Sequence, residues 1–434
     1  MCCFLFLLIH SLTFAQKSGR QKASAEPAYA NQLFKDRNYI QALDEFKILW
    51  EQDSNDLNYS RKLAICYLNT NIDKEKARSL LLKVTANSKT EGQNWYDLGR
   101  ACQYSFRFEE AIIAFQKYLD NKPRKDNNAL SAQRQIEMCN NAMALLEHPL
   151  EVDFENAGPA VNSSFPDYNP FVSADGNMLV FTSKREGNLG GLADYDGYPT
   201  SDIFLTEKEA QTWKKPKRLS PPLNTNFVDE CTWLAGDGNQ LMLYQVNPAV
   251  ENEILLTTRK GKNFQKAVSP GSQVNLQKTV TSSGCLSADG QTLFFASDRA
   301  GGFGKSDIYY CRKAGKAWSA PINAGPNINT AYDEDFPAIG PDQKFIFFAS
   351  QGHNSMGGFD IFFAGWYAEN ATFDKAVNIG YPVNTPENNL SISFTNQYES
   401  AWISARRKEG MGDLDIYHIT LNNFKPSLNG TKTR

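Results

Sequence analysis

Acidic and basic side chains return at intervals through the longer, C-terminal part of the chain. Asp167, the pair Asp229 and Glu230, the triplet Asp333, Glu334 and Asp335, and Glu387 each follow an asparagine by a few residues: Asn162, Asn224, Asn329 and Asn384. A second set, Lys184 and Arg185, Asp298 and Arg299, His353, and Arg406 and Arg407, follows short apolar runs. Two carboxylates facing one another across a sugar-sized gap are the working parts of a glycoside hydrolase, and Asp229, Glu230, Asp333 and Asp335 are the candidates for such a pair. A catalytic pair is asymmetric, however, whereas these acids recur with the repeat. They read first as residues that accept backbone N–H bonds at strand starts, with the arginines as their partners.

Other chemistries have weaker support. His148, His353 and His418 are far apart in the repeat, and no Cys-x-x-Cys or His-x-x-x-His occurs, so no metal ligand is assigned. No glycine-rich phosphate motif precedes a helix, and the pairs Gly190-Gly191, Gly301-Gly302 and Gly357-Gly358 fit hairpin geometry. No Gly-x-Ser-x-Gly elbow is present. The expectation is a chain that is not an enzyme, without cofactor, metal or catalytic residues.

The elements that must position these residues form a strand repeat. A turn recurs at Asp175-Gly176, Asp237-Gly238, Asp289-Gly290 and Asp342-Gln343, with a degenerate copy at Asn396-Gln397; Asp-Gly is tight hairpin chemistry. An apolar strand follows each turn, and an acid opens the next strand: Asp202, Glu253, Asp307, Asp360 and Asp415. An aromatic then precedes the corner asparagine, with Asn162, Asn224, Asn275, Asn329 and Asn384 separated by 62, 51, 54 and 55 residues. About 50 residues holding four strands is the size of a β-propeller blade. The aromatic strand at Phe154 comes before any turn, and none follows Asp415, so the strand near Glu151–Asn156 is expected to complete the last of five blades. Six blades is the alternative. This register places Asp167, Arg185, Asp229, Glu230, Asp298, Arg299, Asp333, Glu334, Asp335, His353 and Arg406 on one loop-rich face, the candidate binding face. One corner breaks the column, with Lys278 where acids sit elsewhere.

Upstream, Ala42-x-x-x-Phe46, Ala77-x-x-x-Leu81 and Ala111-x-x-x-Phe115 are spaced by 35 and 34 residues. Trp95, Leu98, Gly99, Tyr118 and Pro123 complete the third copy. The period and residues resemble the tetratricopeptide (TPR) repeat. They imply a helical solenoid of three repeats plus a capping helix, a kind of module that binds proteins. In the strand part, Ala296-Ser297-Asp298-Arg299-Ala300-Gly301-Gly302-Phe303-Gly304 with Asp307-Ile308-Tyr309 resembles the PD40 (WD40-like, TolB-type) propeller family. The combination is similar to the N-terminal part of OmpA-family proteins of Bacteroidetes type, associated with type IX secretion and gliding. That resemblance implies a periplasmic scaffold at the outer membrane that binds envelope or secretion-system proteins, with a peptide or glycan at the propeller face. The alternative is a propeller glycosidase or glycan-binding protein using channel carboxylates.

The apolar run Phe4–Phe14 followed by Ala15 reads as a signal peptide. The expected organisation is thus signal peptide 1–15, linker 16–25, TPR domain 26–147, propeller 148–425 and tail 426–434. A net charge of -3 from 45 basic and 48 acidic residues gives no field for a nucleic acid, and no later segment has the roughly 18 to 20 apolar residues of a membrane span. Six cysteines follow the leader and are expected as buried free thiols.

Overall fold

The computed structural model describes residues 25–87, 89–121, 128, 130–194, 196–247, 251–428 and 431–433. The leader Met1–Ala15, the linker apart from Ala25, and Pro123 lie outside the described residues.

Seven helices come first among the described residues: α1 (Pro27–Lys35), α2 (Tyr39–Gln52), α3 (Leu57–Leu68), α4 (Lys74–Thr85), α5 (Gly92–Tyr104), α6 (Phe108–Asp120) and α7 (Ala132–Leu146). Four start on capping side chains that accept from the first turn: Asn38 from Gln41 N, Asp56 from Asn58 N, Asp73 from Lys76 N and Ser131 from Arg134 N. Each helix packs mainly on its sequence neighbours, as in a solenoid. The repeated Ala42, Phe46, Ala77, Leu81, Ala111 and Phe115 are all fully buried. Gly99 is small for a reason: a Cβ there would lie 2.6 Å from the Phe115 ring, so α5 and α6 cross too closely for a methyl group.

The strands then form five sheets of four or five strands, which settles the blade number at five, and a separate two-stranded ribbon in which Lys425–Ser427 pairs with Thr431–Thr433. In blade 1 the inner strand Asp167–Val172 pairs with Met178–Ser183, which pairs with Asp202–Glu209, and short outer pieces complete the sheet. The second strands Met178–Ser183, Thr292–Ser297 and Phe345–Ser350 are buried at every position, because both faces pack against neighbouring blades. Blade 5 takes its outer strand from the start of the ring: Glu151–Asn156 runs antiparallel to Asp415–Asn422, with Asn156 opposite Tyr417. The helical-then-all-β architecture and the closing strand both follow the sequence expectation. All six described cysteines are free and buried.

The helical array lies against the propeller's loop-rich face. Arg134 of α7 donates to the carbonyl oxygens of Gln351 (2.8 Å), Gly352 (2.8 Å) and His353 (3.2 Å), and its guanidinium lies 4.6 Å from the centre of the Tyr332 ring. Asn141 donates to Ser355 O, Asn71 bonds Asp413, and Phe106 meets Tyr381 edge-on. Met356 and Tyr381 of the propeller join the helical core. The array therefore seats on blades 4 and 5.

Candidate functional site

The corner asparagines are backbone clamps. Asn224 accepts from Ile203 N and donates to Ile203 O, and the same pair of bonds joins Asn275 to Ile254, Asn329 to Ile308, Asn384 to Ile361 and Asn162 to Ile416. Each ties the corner between two blades to the third strand of the preceding blade. Asn162 reaches blade 5 because the ring closes there.

The acids at the inner-strand starts finish the same corners. Asp167 accepts from Ser163 N and Oγ at 2.6 and 2.7 Å, Asp229 from Thr225 N and Oγ1 at 2.5 and 3.0 Å, and Glu334 from Thr330 N and Oγ1 at 2.8 and 2.7 Å. All three are fully buried, and burial pushes Asp229 and Glu334 up to about 7 despite their donors. At the corner that holds Lys278, Thr281 takes this position and donates to Val274 O, while Asp298 accepts from Val280 N at 2.7 Å.

The second clasp comes from the loop after the second strand or, for Gln245 in blade 2, from the end of the strand Gln240–Asn247 itself. Arg185 donates to Val161 O (2.9 Å) and Asp167 (2.5 Å), Gln245 to Leu223 O (3.1 Å) and Asp229 (2.7 Å), and Arg299 to Val274 O (2.6 Å). His353 Nε2 lies 2.8 Å from Ile328 O. Arg185 and Arg299 also lie over the ring pairs Phe181/Phe204 and Phe295/Tyr309. Of the candidate face residues, Asp167, Arg185, Asp229, Arg299, Glu334 and His353 are thus spent on holding corners.

Asp298 serves a corner as well, and of the remaining candidates Glu230 and Asp335 fall in one place and Arg406 in another. One residue further along each inner strand stand Tyr168, Glu230, Ser282 and Asp335. Tyr168 donates its hydroxyl to Glu230 at 2.7 Å; Asp335 accepts from Ser282 at 2.9 Å, from Ser283, and from Phe336 N at 2.8 Å. Burial raises both carboxyls, and Tyr244, raised by its own burial, feels both charges. Lys184 closes this cluster, its ammonium 2.8 Å from Asp194 and 2.5 Å from Asp196. Burial alone would lower that lysine, but the two aspartates hold it above its ordinary value. Asp333 stands apart, accepting from Ser306 N at 3.1 Å.

The second place is the junction with the helices. Arg406 pairs with Glu387 and, at 3.0 Å, with Asp413. Burial would raise Glu387, but Arg406 and then Lys74 of α4 hold it below the usual range. Tyr168 and Ser282 could have been found by reading the repeat one position along each inner strand, whereas Lys184 is already in the charged set that the sequence singles out. Arg134, Tyr104 and Phe106 could not, since nothing in the helical repeat announces what the array rests on.

No family model matches the chain, and no curated protein matches it. Solved propellers are similar to it. The α-L-arabinofuranosidase PaAbf62A from Podospora anserina has 12% identity and a TM-score of 0.38, covering 63% of this chain and 95% of its own. A thermostable family-43 glycoside hydrolase has 12% identity and a TM-score of 0.42, covering 64% and 99%. TolB from Acinetobacter baumannii has 13% identity and a TM-score of 0.36, covering 71% and 73%. Likeness at this level concerns the fold alone. One expectation is corrected by it: with glycoside hydrolases among the similar propellers, the sequence reading that the chain is not an enzyme is withdrawn. The five-bladed ring itself rests on the strand order of this chain.

Proposed function

We propose that the protein is a partner-binding scaffold of the bacterial envelope, working in the periplasm at the outer membrane, with its helices as a TPR array and its ring as a PD40-type propeller. The observation that carries this reading is the seating of the array on the ring. Arg134, almost completely buried, is held by three carbonyl oxygens of one propeller loop. Two modules joined this way present one preorganised surface to a protein partner, which lowers the ordering cost of binding. A type IX secretion or related envelope assembly is the setting that the sequence resemblance suggests. Chemical cross-linking in intact cells, with the cross-linked proteins identified by mass spectrometry, tests this. Discrete partners are expected, and their loss in Arg134→Ala, with the fold retained, would tie them to the joined surface.

A second reading, glycan hydrolysis or glycan binding, is favoured by one observation: Glu230 and Asp335, both raised by burial, stand at equivalent positions of two inner strands. Turnover on a panel of glycans, lost in Glu230→Gln and Asp335→Asn, would establish it. Asp229 and Glu334 are unsuitable for this test because their loss would loosen the corners.

A further inference from the structure

Blade 5 departs from the clasp that the other four blades share. In blades 1 to 4, Arg185, Gln245, Arg299 and His353 reach back to the carbonyl oxygen of the residue before the corner asparagine. The corresponding residue of blade 5 is Val383, and neither Arg406 nor Arg407 bonds it among the described residues. Arg406 turns to Glu387 and Asp413, and Arg407 turns to Glu409 and lies 3.8 Å from the centre of the Phe154 ring. As in blade 3, where Thr281 stands, the inner-strand acid is missing, its place taken by the neutral Asn389, which accepts from Thr385 N. What opens instead is a cleft of about 340 Å³ walled by Tyr104 and Phe106 of the helical array, the corner from Tyr381 to Asn389, and the loop Ala405–Glu409.

We infer that this cleft is a docking site for an extended, carboxylate-bearing peptide segment of a protein partner, either an acidic side chain or a C-terminal carboxylate. This rests on the partner-binding reading above and names the place and the chemistry. Charge commits the occupant. Three consecutive cations, Arg406, Arg407 and Lys408, line one wall, and the nearby acids Glu387 and Glu409 are already ion-paired to the arginines. Arg407 uses only Nε toward Glu409, which leaves both Nη groups for a bidentate bond, and Lys408 makes no ion pair among the described residues. The uncommitted charges are therefore donors. Phe106, exposed, and Tyr381 supply apolar wall for neighbouring side chains. The cleft also exists only while the array is seated, which makes the junction part of the site.

The test is selection of a random dodecapeptide library, displayed with free C-termini, on the wild-type protein and on Arg407→Ala/Lys408→Ala. The single variant Lys408→Glu serves as a second probe, since that side chain is exposed and unpaired; melting curves check that both variants fold. The expected result is enrichment of peptides rich in Asp and Glu or ending in a required free carboxylate, with binding weakened at least tenfold in both variants and by added salt. Peptides without acidic bias, or acidic peptides that bind the variants equally, would overturn the inference, as would binding of a glycan array that depends on Arg407 and Lys408. If whole-protein partners cross-link equally well to wild type and Lys408→Glu, the cleft is wrong while the partner-binding reading stands; if none cross-links, that reading itself fails.

Discussion

At the scale of single residues, polar side chains inside this ring answer to backbone. Asn329 satisfies both Ile308 N and Ile308 O, at 2.8 and 2.9 Å, so Asn329→Ala leaves two buried main-chain groups without partners. We expect a loss of about 2–3 kcal/mol in urea unfolding, against less than about 0.5 kcal/mol for an exposed residue such as Asn177. The acids give a pH signature. Asp229, Glu334 and Asp360 are fully buried and pushed up to about 7, whereas in the unfolded chain they ionise near 4 to 4.5. Between those values the folded protein holds more protons than the unfolded one. These groups therefore make stability fall as pH rises from about 4 to about 7 and level off above. Melting temperature measured across that window is expected to slope less in Asp229→Asn, and an unchanged slope would show that Asp229 ionises normally. The recurrence of these residues was readable from spacing. Their inward orientation was not, because an acid one position along the same strand, Glu230 or Asp335, faces different neighbours.

At the scale of elements, the helices announce themselves by period and the joints do not. The spacing of Ala42, Ala77 and Ala111 locates three crossings, and Gly99→Ala tests the tightest, where the new methyl would meet the Phe115 ring. We expect about 1–3 kcal/mol of destabilisation, read by thermal unfolding of the helical signal. The seating of α7 was invisible because Arg134 and the carbonyl oxygen of Gln351 are 217 residues apart in the chain. Arg134→Ala should release the array, increasing protease cleavage between α7 and the first strand and enlarging the radius of gyration by X-ray scattering. A compact, resistant variant would mean that the apolar contacts of Met356 and Tyr381 suffice.

At the scale of the whole molecule, the ring is closed by a strand from its own beginning. The offset between five turns and five aromatic strands made this legible, since an unpaired edge would otherwise remain. Deleting 151–156 should expose the edge of Asp415–Asn422 and convert cooperative unfolding into aggregation, measured by light scattering during heating. The same topology that closes the ring puts its long loops beneath the helical array, so part of the loop-rich face is occupied within the chain and the junction becomes the place to look for a partner. The most direct test of that account places a photo-cross-linking residue at Phe106, beside the junction, and at Asn177, on a turn of the opposite face, in living cells. A discrete protein adduct from position 106 and none from 177 is the expected result; no adduct at 106, together with glycan turnover abolished by Glu230→Gln, would contradict it.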